Sequence, residues 1–307
     1  MREAEKVRVL LIIPAYNEEA NIQRVIGRVR EYRKTCPYQL DYVVINDGST
    51  DSTARICREN GIHHISLLQN LGIGGAVQTG YLYAQREGYD IAVQFDGDGQ
   101  HDLNSLPQLL APVVRGDCDF CVGSRFLDKS SAFQSTPLRR VGIQYLSWLI
   151  RLFTGTKVTD PTSGFRAANQ AVIRDLADYY PADYPEPESI VQIKKMRHRI
   201  QEVQVNMFQR EGGQSSIRSW KSIYYMIKVS VAVVCASLQR GGRRNELDPA
   251  GRTDCAGPGG HCGGHPRGEP PGAAIEILPH LAADFPVLGG GGPVPENRLR
   301  GDSPGGH

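Results

Sequence analysis

The sequence predicts an α/β fold: a mostly parallel, Rossmann-like sheet covered by helices, forming a single domain. Three observations carry this. Strand-like and helix-like segments alternate five times within about 125 residues, and crossover connections of that kind build parallel sheets. The first apolar run is continuous rather than alternating, as a strand buried on both faces requires. Polar turn residues follow the strands, at the rim where open sheets bind ligands.

In chain order, residues 7–13 form that continuous run, rich in β-branched side chains. Asn17 is placed to cap the next helix, in which Ile22, Val25, Ile26 and Val29 recur at helical spacing. Residues 42–45 read as a second strand, closed by the turn Asn46-Asp47-Gly48-Ser49; Asp51 or Ser52 can then cap a helix carrying Ala54, Ile56 and Cys57. Residues 62–67 read as a third strand and 74–86 as a helix rich in small residues. Residues 91–95 make a fourth strand that stops at Asp96-Gly97-Asp98. A helix over 103–114, with Pro107 near its first turn, leads to a fifth strand at 120–123. Beyond Arg125 the rhythm changes. Helices are expected at 138–153 and 171–179, then a rigid acidic turn, Tyr184-Pro185-Glu186-Pro187-Glu188, and a helical stretch to about residue 198. A strand over 200–208 and a helix over 219–238 end the periodic part.

Composition divides the chain. From Gly241 to His307 there are 17 Gly and 10 Pro, but only 10 Leu, Ile, Val and Phe together, too few to enclose a core. The expected organisation is therefore a globular body over residues 1–240, net charge +4, and a Gly/Pro-rich tail over 241–307, net charge −2. The tail reads equally as a disordered segment or as an out-of-frame read-through; its Cys255, His261, Cys262 and His265 fit no common zinc spacing. The near-neutral balance argues against a nucleic-acid partner, which usually requires a basic excess. Seven Cys, odd in number and irregularly spaced, suggest no disulfide framework and suit a reducing cytoplasm. The charged N-terminus lacks a signal-peptide core, and no run reaches the ~18 apolar residues of a membrane span. Residues 141–153 and 224–238 are apolar enough to be core helices or helices lying on a membrane surface.

The candidate chemistry lies at the strand ends. Asp96, Asp98 and Gln100, at i, i+2 and i+4, can turn three oxygen ligands toward Mg²⁺ or Mn²⁺. His101 beside them could face a phosphate or a metal, or be structural, and Asp102 suits a helix cap. Gly74, near a helix N-terminus, allows either close approach of a phosphate or tight packing. Arg125, Arg139, Arg140, Arg166 and Arg210 are candidate phosphate clamps; Arg125 and Arg166 are favoured because they end glycine-containing turns. Glu186 and Glu188 suit a general base held by prolines or an acidic pair at a helix N-terminus.

Together, Pro14-Ala15-Tyr16-Asn17-Glu18, Asn46-Asp47-Gly48-Ser49, Asp96-Gly97-Asp98 and Asp160-Pro161-Thr162-Ser163-Gly164-Phe165-Arg166 resemble glycosyltransferase family 2. With Gly123-Ser124-Arg125 and Phe208-Gln209-Arg210-Glu211-Gly212-Gly213-Gln214-Ser215-Ser216, the chain is similar to the dolichyl- or polyprenyl-phosphate sugar synthases of that family, over about residues 7–240. The resemblance implies the GT-A fold. It implies a nucleotide-sugar donor (a UDP- or GDP-sugar), a polyprenyl-phosphate-type acceptor, transfer of a single sugar with inversion, and Mg²⁺ or Mn²⁺. A saccharide or protein hydroxyl acceptor and a catalytically silent nucleotide-sugar-binding protein are the alternatives. On this resemblance Asp47 contacts the nucleotide base or ribose, with Pro14, Tyr16 and Glu18 lining the same pocket; Asp96, Asp98 and Gln100 hold the metal on the diphosphate. Arg125 and Arg210 help bind diphosphate or acceptor phosphate. The candidate catalytic residues are then Asp98, Arg125, Glu186 and Glu188, with Gly74 and Arg166 completing the donor side.

Two departures matter. No Gln-x-x-Arg-Trp motif is present, so repeated polymerisation is not expected. Pro185-Glu186-Pro187-Glu188-Ser189 stands where lipid-phosphate members often carry Gln-x-Glu, which leaves the base and the acceptor open. A lipid acceptor would seat residues 141–153 and 224–238 on a membrane, making the protein cytoplasmic and peripheral on that membrane's cytoplasmic face.

Overall fold

A computed structural model describes residues 7–127, 137–182, 184–208 and 219–238. Its strands are β1 (Arg8–Ala15), β2 (Gln39–Asn46), β3 (His64–Ser66), β4 (Ile91–Gln94), β5 (Phe120–Ser124), β6 (Arg166–Asn169) and β7 (Ile200–Gln204). They form one sheet in the order β3-β2-β1-β4-β6-β5-β7, parallel except for β6, which runs antiparallel to both neighbours. The helices are α1 (Ile22–Arg33), α2 (Thr53–Glu59), α3 (Gly72–Arg86), α4 (Leu106–Arg115), α5 (Pro137–Thr154), α6 (Gln170–Asp178), α7 (Pro185–Lys195) and α8 (Ser219–Leu238).

The unbroken apolar run of β1 follows from its position. Val9, Leu11 and Ile13 face the core shared with α1 and α4, whereas Leu10 and Ile12 face the core shared with α3 and α6. Successive side chains of a strand point to opposite faces, so a strand covered on both sides has no polar position to offer. A third apolar cluster joins α5, α7 and α8 through Leu146, Ile150, Ile190, Val229 and Val233.

Register sets where the site forms. Ala15 pairs with Asn46 and Ile12 with Gln94. The Asp47 N–H donates to Ala15 O at 2.9 Å, and the Phe95 N–H donates to Ile12 O at 2.9 Å. The segments after β1, β2 and β4 therefore leave the sheet side by side.

Several sequence expectations are corrected. Asn17 does not cap α1, which starts at Ile22 with Asn21 in the cap position. Asn17 instead adopts a left-handed backbone, φ 55°, and its Oδ1 accepts the Thr50 N–H at 2.9 Å, tying the ends of β1 and β2 together. Asp51 supplies the bond at the start of α2, accepting the Thr53 N–H at 2.9 Å. The helix expected over 103–114 opens with a single 3₁₀ turn, Leu103–Ser105, on which Asp102 accepts the Asn104 N–H. Strand β6 was not expected: Arg166-Ala167-Ala168-Asn169 has no β-branched residue, and only pairing with β4 and β5 makes it a strand. The acidic turn at 184–188 is the first turn of α7, with Pro185 at its start, where a missing N–H costs nothing. Arg210 and the tail 241–307 lie outside the described residues.

Candidate active site

The segments leaving β1, β2 and β4, with the start of α3, enclose a cleft of about 410 Å³. Pro14, Tyr16 and Glu18 come from the first, Asp47 from the second, Gly72 and Ile73 from α3, and Asp96 and Asp98 from the third. Asp47 is buried, and its Oδ1 accepts the Leu71 N–H at 2.7 Å. Burial raises its pKa above the usual carboxylate range, opposed by the N–H groups of Leu71 and Gly72.

Asp96 is clamped. The Asp96 N–H donates to Nδ1 of His101 at 3.1 Å, which leaves the imidazole proton on Nε2, 3.3 Å from Asp96 Oδ2. His101 is 2% exposed, with its ring stacked on Phe165 at 4.8 Å and edge-on to Phe95 at 5.4 Å. Burial pushes its pKa down to about 4, with Asp98 opposing and Arg125 adding to the fall, so the ring is neutral at physiological pH. On the other side, a Cβ on Gly164 would lie 2.7 Å from Asp96 Oδ2, so only glycine lets the backbone approach this closely. Asp98 Oδ1 accepts the Gln100 N–H at 3.0 Å.

This donor set suits a hard divalent cation. Mg²⁺ and Mn²⁺ bind through one or two carboxylates and complete their shells with water and substrate phosphate. Two carboxylates on one cleft wall meet that need. Among the described residues no group of three or more His, Cys, Asp or Glu side chains forms a closed cage.

Residues 10–178 match the family described as Glycosyl transferase family 2. The chain belongs to that family. It is 31% identical over 223 residues, 66% of this chain and 86% of the relative, to a UDP-N-acetylglucosamine–dolichyl-phosphate N-acetylglucosaminyltransferase of Methanococcus voltae. It is 30% identical over 220 residues, 69% of this chain and 88% of the relative, to an undecaprenyl-phosphate mannosyltransferase of Micrococcus luteus. In fold it is similar to glucosyl-3-phosphoglycerate synthase of Mycobacterium tuberculosis, crystallised with Mn²⁺, UDP and glucosyl-3-phosphoglycerate. That likeness has a TM-score of 0.55 and 20% identity, covering 77% of this chain and 80% of that one. The GT-A fold and a glycosyltransferase activity are thereby established for this chain.

Within this glycosyltransferase, several expected site residues are placed elsewhere. Gly74 does not line the cleft: it packs so closely on the neighbouring loop that a Cβ would fall 2.2 Å from Pro181 O. Gln100 does not extend the row of ligands into the cleft, because Gly99 takes φ 78° and turns the chain; its backbone instead fastens Asp98 and, through its carbonyl, Phe208 N–H. Arg166 is 1% exposed and turned inward, donating from Nε to Ser163 O, from Nη1 to Ser189 Oγ and from Nη2 to Pro161 O. Arg125 is also buried, in a bidentate pair with Asp160 at 2.6 and 2.7 Å, and donates to Thr162. Both arginines brace the 159–166 segment rather than reach into the cleft.

Glu186 and Glu188 both stand in the first turn of α7, two positions and so about 200° apart around the helix. Glu186 is the half-buried carboxylate that shares an environment with Asp96; burial raises its pKa, Arg166 opposes, and Asp96 adds to the rise. Gln94, on β4, is buried beside it and accepts the Tyr180 hydroxyl at 3.2 Å. The side chain of Arg139 lies outside the described residues. Arg140 lines a second hollow of about 230 Å³ with Phe126, Gln144, Ser147 and Thr159. Sequence reasoning missed the clamp on Asp96. The spacing of His101 and Phe165 carried no sign that the two rings would stack.

Proposed function

We propose that this glycosyltransferase moves one sugar from a nucleotide-sugar donor in the larger cleft to a polyprenyl- or dolichyl-phosphate-type acceptor, using Mg²⁺ or Mn²⁺ held by Asp96 and Asp98. The observation that carries the reading is the cleft itself, with a buried Asp47 at one wall and the clamped Asp96 and Asp98 at the other. That lining suits a nucleoside at Asp47 and a diphosphate at the carboxylates. The bound cation supplies the positive charge that offsets the charge of the departing diphosphate. Pro14 and Tyr16 flank the nucleoside, and Asp47 accepts its N–H or O–H groups.

The acceptor side is supported by α5. Val141, Tyr145, Trp148 and Leu152 are all exposed, and their spacing places them along one face of the helix. Trp148 is 57% exposed and Arg140 and Arg151 flank the stripe, the pattern of a helix seated at a lipid surface. No helix among the described residues is long and apolar enough to cross a membrane. The second hollow adjoins this helix, and both relatives named above are titled for lipid-phosphate acceptors. A phosphate acceptor is already ionised and attacks the anomeric carbon opposite the leaving diphosphate without a base, inverting it. A hydroxyl acceptor is the second reading, favoured only by the raised pKa of Glu186, which suits a base. On the first reading the protein is peripheral on the cytoplasmic face of a membrane, and residues 1–240 form its catalytic unit.

The test is a panel of radiolabelled UDP- and GDP-sugars with Mn²⁺ or Mg²⁺ and polyprenyl phosphate. Label entering the organic phase, lost with Asp98→Ala, is expected. Label confined to water-soluble glycan or protein would establish the second reading instead.

A further inference from the structure

The segment 159–164 runs from the smaller hollow to a residue of the larger. Thr159 lines the smaller one, and Gly164 lies beside the Asp96 carboxylate that lines the larger, with no room between them for a Cβ. Its middle is fixed by the buried Arg125–Asp160 pair and its end by Arg166, which holds the carbonyls of Pro161 and Ser163. Its beginning is fixed from a different element. Glu202, on β7, accepts the Thr159 N–H at 2.7 Å and the Asp160 N–H at 3.0 Å, and the Thr159 hydroxyl lies 3.2 Å from the same carboxylate. The Thr159 hydroxyl also meets Ser124 Oγ at 2.8 Å.

We propose that Glu202 is a positioning residue for the metal-binding carboxylate: it fixes the 159–164 segment and, through Gly164, the orientation of Asp96. The inference rests on the donor-site reading above. Two adjacent backbone N–H groups aimed at one carboxylate are charge-assisted bonds, stronger than the neutral bonds of an ordinary turn. Their placement beside a buried ion pair matters further. Asp160 is fully buried, and a buried pair holds its geometry only when its surroundings are fully hydrogen-bonded. Without Glu202, the Thr159 and Asp160 N–H groups lose their acceptor, and the Asp160 backbone can shift with its side chain still paired to Arg125. The Ser163 N–H donates to Asp160 O at 3.2 Å, so a shift of the Asp160 backbone acts on Ser163 and on Gly164 beside it. Gly164 lies so near Asp96 that a Cβ would not fit between them, so movement there changes the space open to the carboxylate.

The experiment is Mn²⁺ titration of the full chain with UDP, followed by electron paramagnetic resonance, which reads the metal rather than turnover. Glu202→Ala is expected to weaken Mn²⁺ binding by up to about tenfold, the low end for a direct outer partner of a metal ligand, because Glu202 acts on Asp96 only through the 159–164 segment. UDP binding without metal is expected to be unchanged, because Glu202 does not line the donor cleft. Glu202→Gln keeps one acceptor oxygen but turns an amide NH₂ donor toward the other N–H, so it is expected to recover only part of the affinity. Should Glu202→Ala fail to fold, Glu202→Asp, one methylene shorter, carries the same test. Unchanged Mn²⁺ affinity in a folded variant, or equal loss of UDP with and without metal, would overturn the inference. A wild-type chain that binds neither UDP nor Mn²⁺ would overturn the donor-site reading and this inference with it.

Discussion

His101 accepts the peptide N–H of Asp96 on one ring nitrogen and presents the other to the carboxylate of the same residue, at 3.1 and 3.3 Å. One neutral imidazole thus fixes both the backbone and the side chain of a metal-site residue. The arrangement needs the Nε2–H tautomer, and stacking on Phe165 keeps the ring in that plane. His101→Phe preserves the packing but removes both polar contacts. Mn²⁺ affinity in the presence of UDP is expected to fall roughly 10- to 100-fold, as for other outer partners of metal ligands. Calorimetric titration checks this; an unchanged affinity would show that Asp96 needs no clamp.

Gly164 and Gly27 make a matched pair. Gly164→Ala would place a methyl 2.7 Å from Asp96 Oδ2, so loss of sugar transfer and of metal affinity is expected. Gly27 lies within α1, is exposed, and has nothing within 4 Å of an added Cβ. Gly27→Ala is expected to stabilise the chain by about 0.5–1 kcal/mol, because alanine is the better helix former. Thermal melts and transfer assays on the two variants should diverge in opposite directions.

Arg125 gives a test between bracing and phosphate contact. If it braces, Arg125→Ala strands a fully buried Asp160 and is expected to cost about 3–5 kcal/mol in urea unfolding. Removing Asp160 as well should recover much of that loss. A stable Arg125→Ala variant with a raised KM for donor or acceptor would instead place Arg125 on a phosphate.

Asp47 sets a pH dependence. Its pKa is raised by burial, so the native chain holds the proton more readily than the unfolded one, and ionising Asp47 costs stability as pH rises through that pKa. Nucleotide binding has the opposite need, since the carboxylate accepts hydrogen bonds from the ligand. UDP affinity is therefore expected to weaken on acidification at a higher pH than an exposed Asp would dictate. Asp47→Asn should raise Tm at neutral pH while weakening UDP binding. An Asp47→Asn variant that binds UDP as tightly as the wild type would remove Asp47 from the nucleoside site.

Trp148 reports on the proposed lipid seat. Trp148→Glu places a charge in the exposed stripe of α5 and is expected to abolish co-sedimentation with anionic polyprenyl-phosphate vesicles while leaving circular dichroism unchanged. Retained sedimentation would mean that another surface makes the contact.

The order of elements, the apolar strands and the carboxylates at their ends were legible because each rests on local chemistry. β1 announces itself through an unbroken apolar run, and α8 was placed at its observed bounds, Ser219–Leu238. Asp47, Asp96 and Asp98 follow strands, and topology sends strand ends to one rim. The partners of buried polar groups were not legible. Arg125 and Arg166 look alike to a phosphate clamp on paper, and only packing reveals that Asp160, Ser163 and Ser189 already hold them. Strand β6 shows the same limit, since four short residues become a strand through neighbours more than 40 positions away.

The sequence by itself determined a glycosyltransferase-like α/β chain and the identity of the acidic residues at its cleft. Its tertiary structure alone decided that Phe165 stacks on His101, that Gly164 lies against Asp96, and that Glu202 holds the start of the segment leading to Gly164. Hydrophobic periodicity and turn chemistry act between near neighbours and leave a local trace. Hydrogen-bond satisfaction in a buried interior depends on which distant segments meet, and no local pattern records that.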